Sequence, residues 1–99
     1  MDKYDVLEKF NLLDKVKEQI KEFERKNQGL IYAHDRSKIR SEVLSEKWRE
    51  VRDRILKLEK SNSNGSNSVE IKKLESDRNL LRTALEEFKK DAYNQFYNE

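Results

Sequence analysis

Residues 71–92 read IKKLESDRNLLRTALEEFKKDA, and their apolar residues recur at alternating spacings of three and four. Because an α-helix has about 3.6 residues per turn, this spacing places the apolar side chains on one helix face. That face comprises Ile71, Leu74, Leu81, Leu85, Phe88 and Ala92, and Arg78 interrupts it. The segment therefore predicts an amphipathic helix over about 69–97, whose apolar face other helices must cover.

Two further stretches repeat this spacing, one within residues 6–23 and one within residues 39–58. Gly29 follows the first stretch and predicts its end, because glycine adopts the positive φ that commonly follows a helix C-terminus. We therefore expect a first helix over about 3–28 and a second over about 36–60. The predicted apolar face of the first helix comprises Val6, Phe10, Leu12, Leu13, Val16, Ile20 and Phe23.

Residues 61–68 read SNSNGSNS and contain no apolar side chain. Serine, asparagine and glycine without an apolar face are typical of a flexible connector. Within this stretch, Asn64-Gly65 is the predicted centre of the turn, because Asn-Gly pairs favour turns. The connector therefore separates the second predicted helix from the third.

Three amphipathic helices of similar length predict an all-α fold, an antiparallel three-helix bundle with coiled-coil-like packing. Hydrophobic residues make up 34% of the chain and charged residues 42%, a ratio that suits helices with one buried face. The regular apolar spacing argues against disorder despite the high charge. A chain of 99 residues forms one domain, and we expect the single helical-bundle domain to span residues 1–99.

One alternative fold follows from the heptad register, which continues from the first predicted helix into the second. The chain has no proline, so one long helix over 3–60 plus a second helix could form a dimeric coiled coil. Four polar residues oppose this alternative, because they occupy seam positions within about two heptads: Asn27, His34, Ser37 and Ser41. We therefore favour three separate helices and leave open whether the protein is a monomer or a homodimer.

Composition also limits the cellular environment and the chemistry. The chain has no cysteine and no apolar run of the ~18 residues needed for a membrane-spanning helix. The first residues lack the layout of a signal peptide, which predicts a cytoplasmic protein. We expect no cofactor, because two glycines cannot supply a phosphate-binding loop and His34, the only histidine, has no metal-binding motif around it. The carboxylates lie on solvated helix faces, so we expect no enzyme activity.

Basic residues are most concentrated in the second predicted helix, which favours a nucleic-acid-associated protein as the alternative function. The candidate phosphate contacts are Arg36, Lys38, Arg40, Lys47, Arg49, Arg52 and Arg54. Acidic residues such as Glu46 and Glu50 lie between them and reduce the positive field locally.

Aromatic residues are concentrated near the end of the third predicted helix, at Tyr93, Phe96 and Tyr97. In an antiparallel bundle this end lies near the segment between the first two helices, which contains Tyr32. These rings could close the core, but exposed tyrosine and phenylalanine are also enriched in protein interfaces. We therefore expect a non-catalytic protein–protein interaction module or adaptor, with these four residues as candidate contacts to an unidentified protein partner.

Overall fold

The computed structural model describes residues 1–61, 65 and 67–98. These residues form four helices, α1 (Lys3–Lys9), α2 (Leu13–Lys26), α3 (Ala33–Ser61) and α4 (Ser68–Asn98), and no strand. The predicted all-α bundle is confirmed. The connector is shorter than the predicted 61–68, because Ser61 belongs to α3 and Ser68 to α4. Its residues 62–64 and 66, including Asn64 of the predicted turn, lie outside the described residues.

The long helices α3 and α4 form an antiparallel hairpin. Near one end Arg54 Nη2 lies 3.5 Å from Glu70 Oε1, and near the other Ser37 Oγ donates to Gln95 Oε1 at 2.7 Å. At 55 × 24 × 19 Å, the molecule is elongated along these two helices.

The two shorter helices pack on different members of this hairpin. In α1, Lys3 Nζ lies 2.7 Å from an oxygen of Asp91 in α4, and Tyr4 packs edge-on against Phe88 with ring centroids 5.2 Å apart. In α2, Lys15 donates to Glu46 of α3. Thus α1 and α2 together occupy the place of the first predicted helix.

That first helix was predicted to be continuous over 3–28, and this prediction is wrong. The break occurs at Asn11, whose φ of 58° is left-handed. Asparagine tolerates this conformation better than most residues. The Asn11 and Leu12 amides donate to the carbonyls of Glu8 and Leu7, which ends α1 as a glycine would. The break rotates the following residues, so Leu12 is buried while Leu13 is 42% exposed.

The alternative of one helix over 3–60 is also wrong, because α2 ends at Lys26 and α3 begins at Ala33. Gln28, with φ 56°, takes the left-handed position predicted for Gly29, which follows at φ 85°. The Gly29 amide donates to the Glu24 carbonyl at 2.7 Å. Helix α3 begins before the predicted position 36.

In the sequence, the polar seam residues Ser37 and Ser41 argue against a continuous seam, yet both are buried in α3. Their hydroxyls are satisfied, because Ser37 donates to Gln95 and Ser41 donates to the Lys38 carbonyl at 3.0 Å. Small side chains with hydrogen-bond partners fit inside a tight helix pair at little cost. The seam of α3 therefore continues through them.

One hydrophobic core joins all four helices. Its central members Leu44, Leu81 and Phe88 are completely buried. Trp48 packs against this core from the side and is only partly buried.

Two ion pairs between helices shift pKa values. The hydrogen bond to Asp91 raises the pKa of Lys3 above 10.5. The hydrogen bond from Lys15 lowers the pKa of Glu46 below 4.5. Each charge is therefore stabilised by a contact that exists only when the two helices are packed.

Candidate protein-binding surface

Five aromatic rings meet where α3 begins and α4 ends. Tyr32 stacks on His34 with centroids 5.7 Å apart, and His34 meets Phe96 edge-on at 5.1 Å. Phe96 contacts Tyr97 at 5.5 Å, and Tyr97 contacts Tyr93 at 4.8 Å. We refer to these five residues as the aromatic end. The structure thus brings together all four aromatic residues that the sequence predicts as partner contacts.

Hydrogen bonds around the start of α3 hold the rings in place. Asp35 Oδ2 accepts from the Tyr32 amide at 3.0 Å, which caps the helix, and Asp35 Oδ1 lies 3.2 Å from His34 Nε2. One carboxylate therefore orients both the Tyr32 backbone and the His34 ring. The bond between Ser37 and Gln95 joins α3 to α4 next to Phe96.

The aromatic end is largely open to solvent. Tyr32 is 51% exposed, Tyr93 65%, Phe96 59% and Tyr97 69%. None of the four is among the partly buried residues that pack on the core, so they do not form the buried closing layer that is the other interpretation of the sequence. Of the neighbouring loop residues, Leu30 is exposed and Ile31 packs partly on the core.

His34 is the member that sequence reasoning missed. In the sequence, His34 is the only histidine and lies between the first two predicted helices. The structure places it in the first turn of α3, between Tyr32 and Phe96. The available signal was Asp35, because an acidic residue at the third helical position predicts a helix start at Ala33. With that start, His34 lies on α3 at the level of Phe96.

The seven candidate basic residues lie on two sides of α3. At about 100° per residue, Arg36, Arg40, Lys47 and Arg54 fall on one side of the buried stripe, and Lys38, Arg49 and Arg52 fall on the other. The structure therefore does not gather the seven side chains on a single face. Their role in nucleic-acid binding stays a prediction.

Several of these cations have partners within the protein. The Arg40 guanidinium lies 5.5 Å from the Tyr4 ring centroid and 5.9 Å from that of Phe88. Lys47 pairs with Glu50, Arg52 with Asp53, and Arg54 with Glu70, at 3.2 to 3.5 Å. These contacts neutralise part of the positive charge of α3.

No helix in the described part of the chain is both long and apolar enough to span a membrane. Residues 1–61, 65 and 67–98 contain no group of three or more His, Cys, Asp or Glu side chains that could hold a metal ion. Comparisons of the chain with models of protein families, with curated proteins and with solved structures found no match. The geometry of the aromatic end and of the charged helix faces is thus the basis for a functional interpretation.

Proposed function

We propose that the protein is a non-catalytic interaction module that binds another protein through the aromatic end. The observation that supports this proposal is the contact chain of Tyr32, His34, Phe96, Tyr97 and Tyr93, in which the four tyrosine and phenylalanine rings are each at least half exposed. Exposed aromatic clusters of this kind are rare on surfaces that meet only water.

The chemistry of the rings indicates the kind of surface that they would bind. Tyrosine and phenylalanine bury large apolar areas, lose little side-chain entropy on binding, and dominate the binding energy of many interfaces. Tyr93 and Tyr97 also carry hydroxyl groups, which can pair with polar groups at the rim. The partner would therefore present an apolar patch surrounded by polar groups.

Paired alanine substitutions test this proposal. Phe96→Ala/Tyr97→Ala removes two exposed rings, and we expect the protein to lose the proteins that the wild type captures from an extract of its own cells. A photo-crosslinking residue at position 97 then identifies the partner. With the purified partner, we expect the double variant to bind at least about tenfold more weakly, since interface aromatics often contribute 2 kcal/mol or more.

Leu56→Ala/Val69→Ala is the matched control, because both residues are exposed apolar side chains far from the aromatic end. Equal capture by wild type, test variant and control would contradict the proposal. Binding to mixed-sequence DNA or RNA that falls steeply with added salt would instead favour the nucleic-acid alternative.

A further inference from the structure

A groove between α3 and α4 is lined by residues of these two helices alone, and Ser45 and Arg49 at its edge also line a depression with Gln19 of α2. Trp48 follows Ile39 by nine residues, which at about 100° per residue puts it on the opposite side of α3 from the side that meets Phe23 of α2. By the same argument, Arg82 lies opposite Asp91, which contacts α1. The groove has a volume of about 320 Å³.

Trp48 gives this groove an apolar floor, together with Leu85. The Trp48 indole Nε1 is closed off from solvent and has no hydrogen-bond acceptor among the described residues. An unpaired buried donor costs about 1–3 kcal/mol. The guanidinium of Arg52 lies over the indole ring, 5.2 Å from its centroid.

Positive charge surrounds this floor. Arg49, Arg82 and Lys89 line the groove, and Glu86 is the only carboxylate among the residues that line it. Glu86 lies 4.0 Å from Lys89, and neither Arg49 nor Arg82 has an ion-pair partner within the described residues. Glu46 binds Lys15, and the positive charge of Arg49 also helps to lower the pKa of Glu46.

We propose that this groove binds an acidic amphipathic helix of a partner protein. Its carboxylates would pair with Arg49 and Arg82, and an apolar residue would pack on Trp48. The groove between two antiparallel helices is the shape into which a third helix packs. Charge complementarity selects an acidic helix. An apolar floor and Glu86 favour a peptide over a phosphate backbone, and the site lies outside the aromatic end, so this inference goes beyond the proposed function.

The chain contains one tryptophan, so its fluorescence reports directly on this groove. The probes are three helical peptides of equal length without aromatic residues, with leucine at the same helical positions and with Glu, Gln or Lys at all others. We expect the Glu peptide to change the Trp48 emission in a saturable way and to bind at least about tenfold more tightly than the Gln or Lys peptide. Added salt should weaken its binding, because the pairing charges are exposed.

Charge reversal supplies the second arm of the experiment. Arg49→Glu/Arg82→Glu should weaken binding of the Glu peptide at least about tenfold and should favour the Lys peptide. The control Lys17→Glu/Lys21→Glu makes the same change in net charge on exposed positions of α2 and should bind like the wild type. Circular dichroism checks that all variants keep their helix content.

Three results would overturn this inference. They are an emission spectrum that the Glu peptide leaves unchanged, equal binding of the three peptides, and full binding by Arg49→Glu/Arg82→Glu. A mixed-sequence DNA oligonucleotide that changes the Trp48 emission when the Glu peptide does not would assign the groove to nucleic acid. None of these results bears on Phe96→Ala/Tyr97→Ala, so the proposed function stands or falls separately.

Discussion

At the scale of single residues, two positive-φ positions that are not glycine determine where the first half of the chain changes direction. Asn11 and Gln28 adopt φ values of 58° and 56°, each two residues after the end of α1 or α2. Sequence reasoning identified Gly29 as the stop signal and overlooked Asn11, because asparagine is also common on exposed helix faces. The side chain that packs next, Leu12 rather than Leu13, depends on this one backbone angle.

Substitution of Asn11 tests that role. Asn11→Val should lower the free energy of unfolding by about 1–2 kcal/mol, because a β-branched residue is strained in the left-handed region. Asn11→Gly should change it little, because glycine accepts this φ freely. Urea denaturation followed by circular dichroism measures both. The control is Asn94→Val at an exposed helical position, where the two residues have similar helix propensity; equal losses at positions 11 and 94 would refute the role of Asn11.

At the scale of helices, the sequence predicted α3 and α4 well and the N-terminal segment poorly. The apolar residues of α4, among them Ile71, Leu81 and Phe88, are buried as their spacing indicated. A long helix contains many apolar side chains, so their spacing defines its buried face clearly. The seven-residue helix α1 has only two buried residues, Val6 and Leu7, from which that face could be predicted. A short helix is therefore defined by its ends and its tertiary contacts more than by its pattern.

The ion pair between Lys15 of α2 and Glu46 of α3 should make the stability of the protein depend on pH. The hydrogen bond from Lys15 lowers the pKa of Glu46 in the folded protein. The contribution of this ion pair to the free energy of unfolding is therefore present above pH 4.5 and is lost as pH falls through the folded pKa. Glu46→Gln should therefore lower the free energy of unfolding at pH 7 by up to about 1 kcal/mol, since the pair is half exposed. Near pH 3 the variant and the wild type should differ much less.

Chemical denaturation at the two pH values measures this difference. Glu59→Gln is the control, since Glu59 is an exposed carboxylate of α3 that has no ion pair among the described residues. If the Glu46→Gln effect were as large at pH 3 as at pH 7, its cause would be packing and not charge.

At the scale of the whole molecule, the bundle separates residues that stabilise it from residues available to a partner. Phe88 and Phe96 are two turns apart on α4, yet Phe88 is completely buried and Phe96 is 59% exposed. The sequence predicts that Tyr93, Phe96 and Tyr97 lie near Tyr32, because an antiparallel bundle places the end of the third predicted helix beside the segment between the first two. It could not predict their exposure or the position of His34, since both depend on how far α3 extends toward its N-terminus.

Because Phe88 is buried and Phe96 is exposed, we expect alanine substitution to lower the free energy of unfolding by different amounts at the two positions. Phe88→Ala should lower the free energy of unfolding by about 3–5 kcal/mol, because it leaves a cavity in the core. Phe96→Ala should lower it by less than about 1 kcal/mol, since most of its ring already faces water. Guanidinium denaturation compares the two. A cost at Phe96 close to that at Phe88 would mean that the aromatic end closes the core after all.

The attachment of α1 to α4 has a consequence for how the protein is made. Helix α1 is synthesised first, but its contacts on α4, Phe88 with Tyr4 and Asp91 with Lys3, leave the ribosome only after α3 and most of α4. By contrast, α2 finds its partner α3 directly after it in the chain. The α2–α3 pair can therefore form during translation, whereas α1 can dock on α4 only after α4 has been synthesised. Until then, the apolar face of α1 remains uncovered on the growing chain.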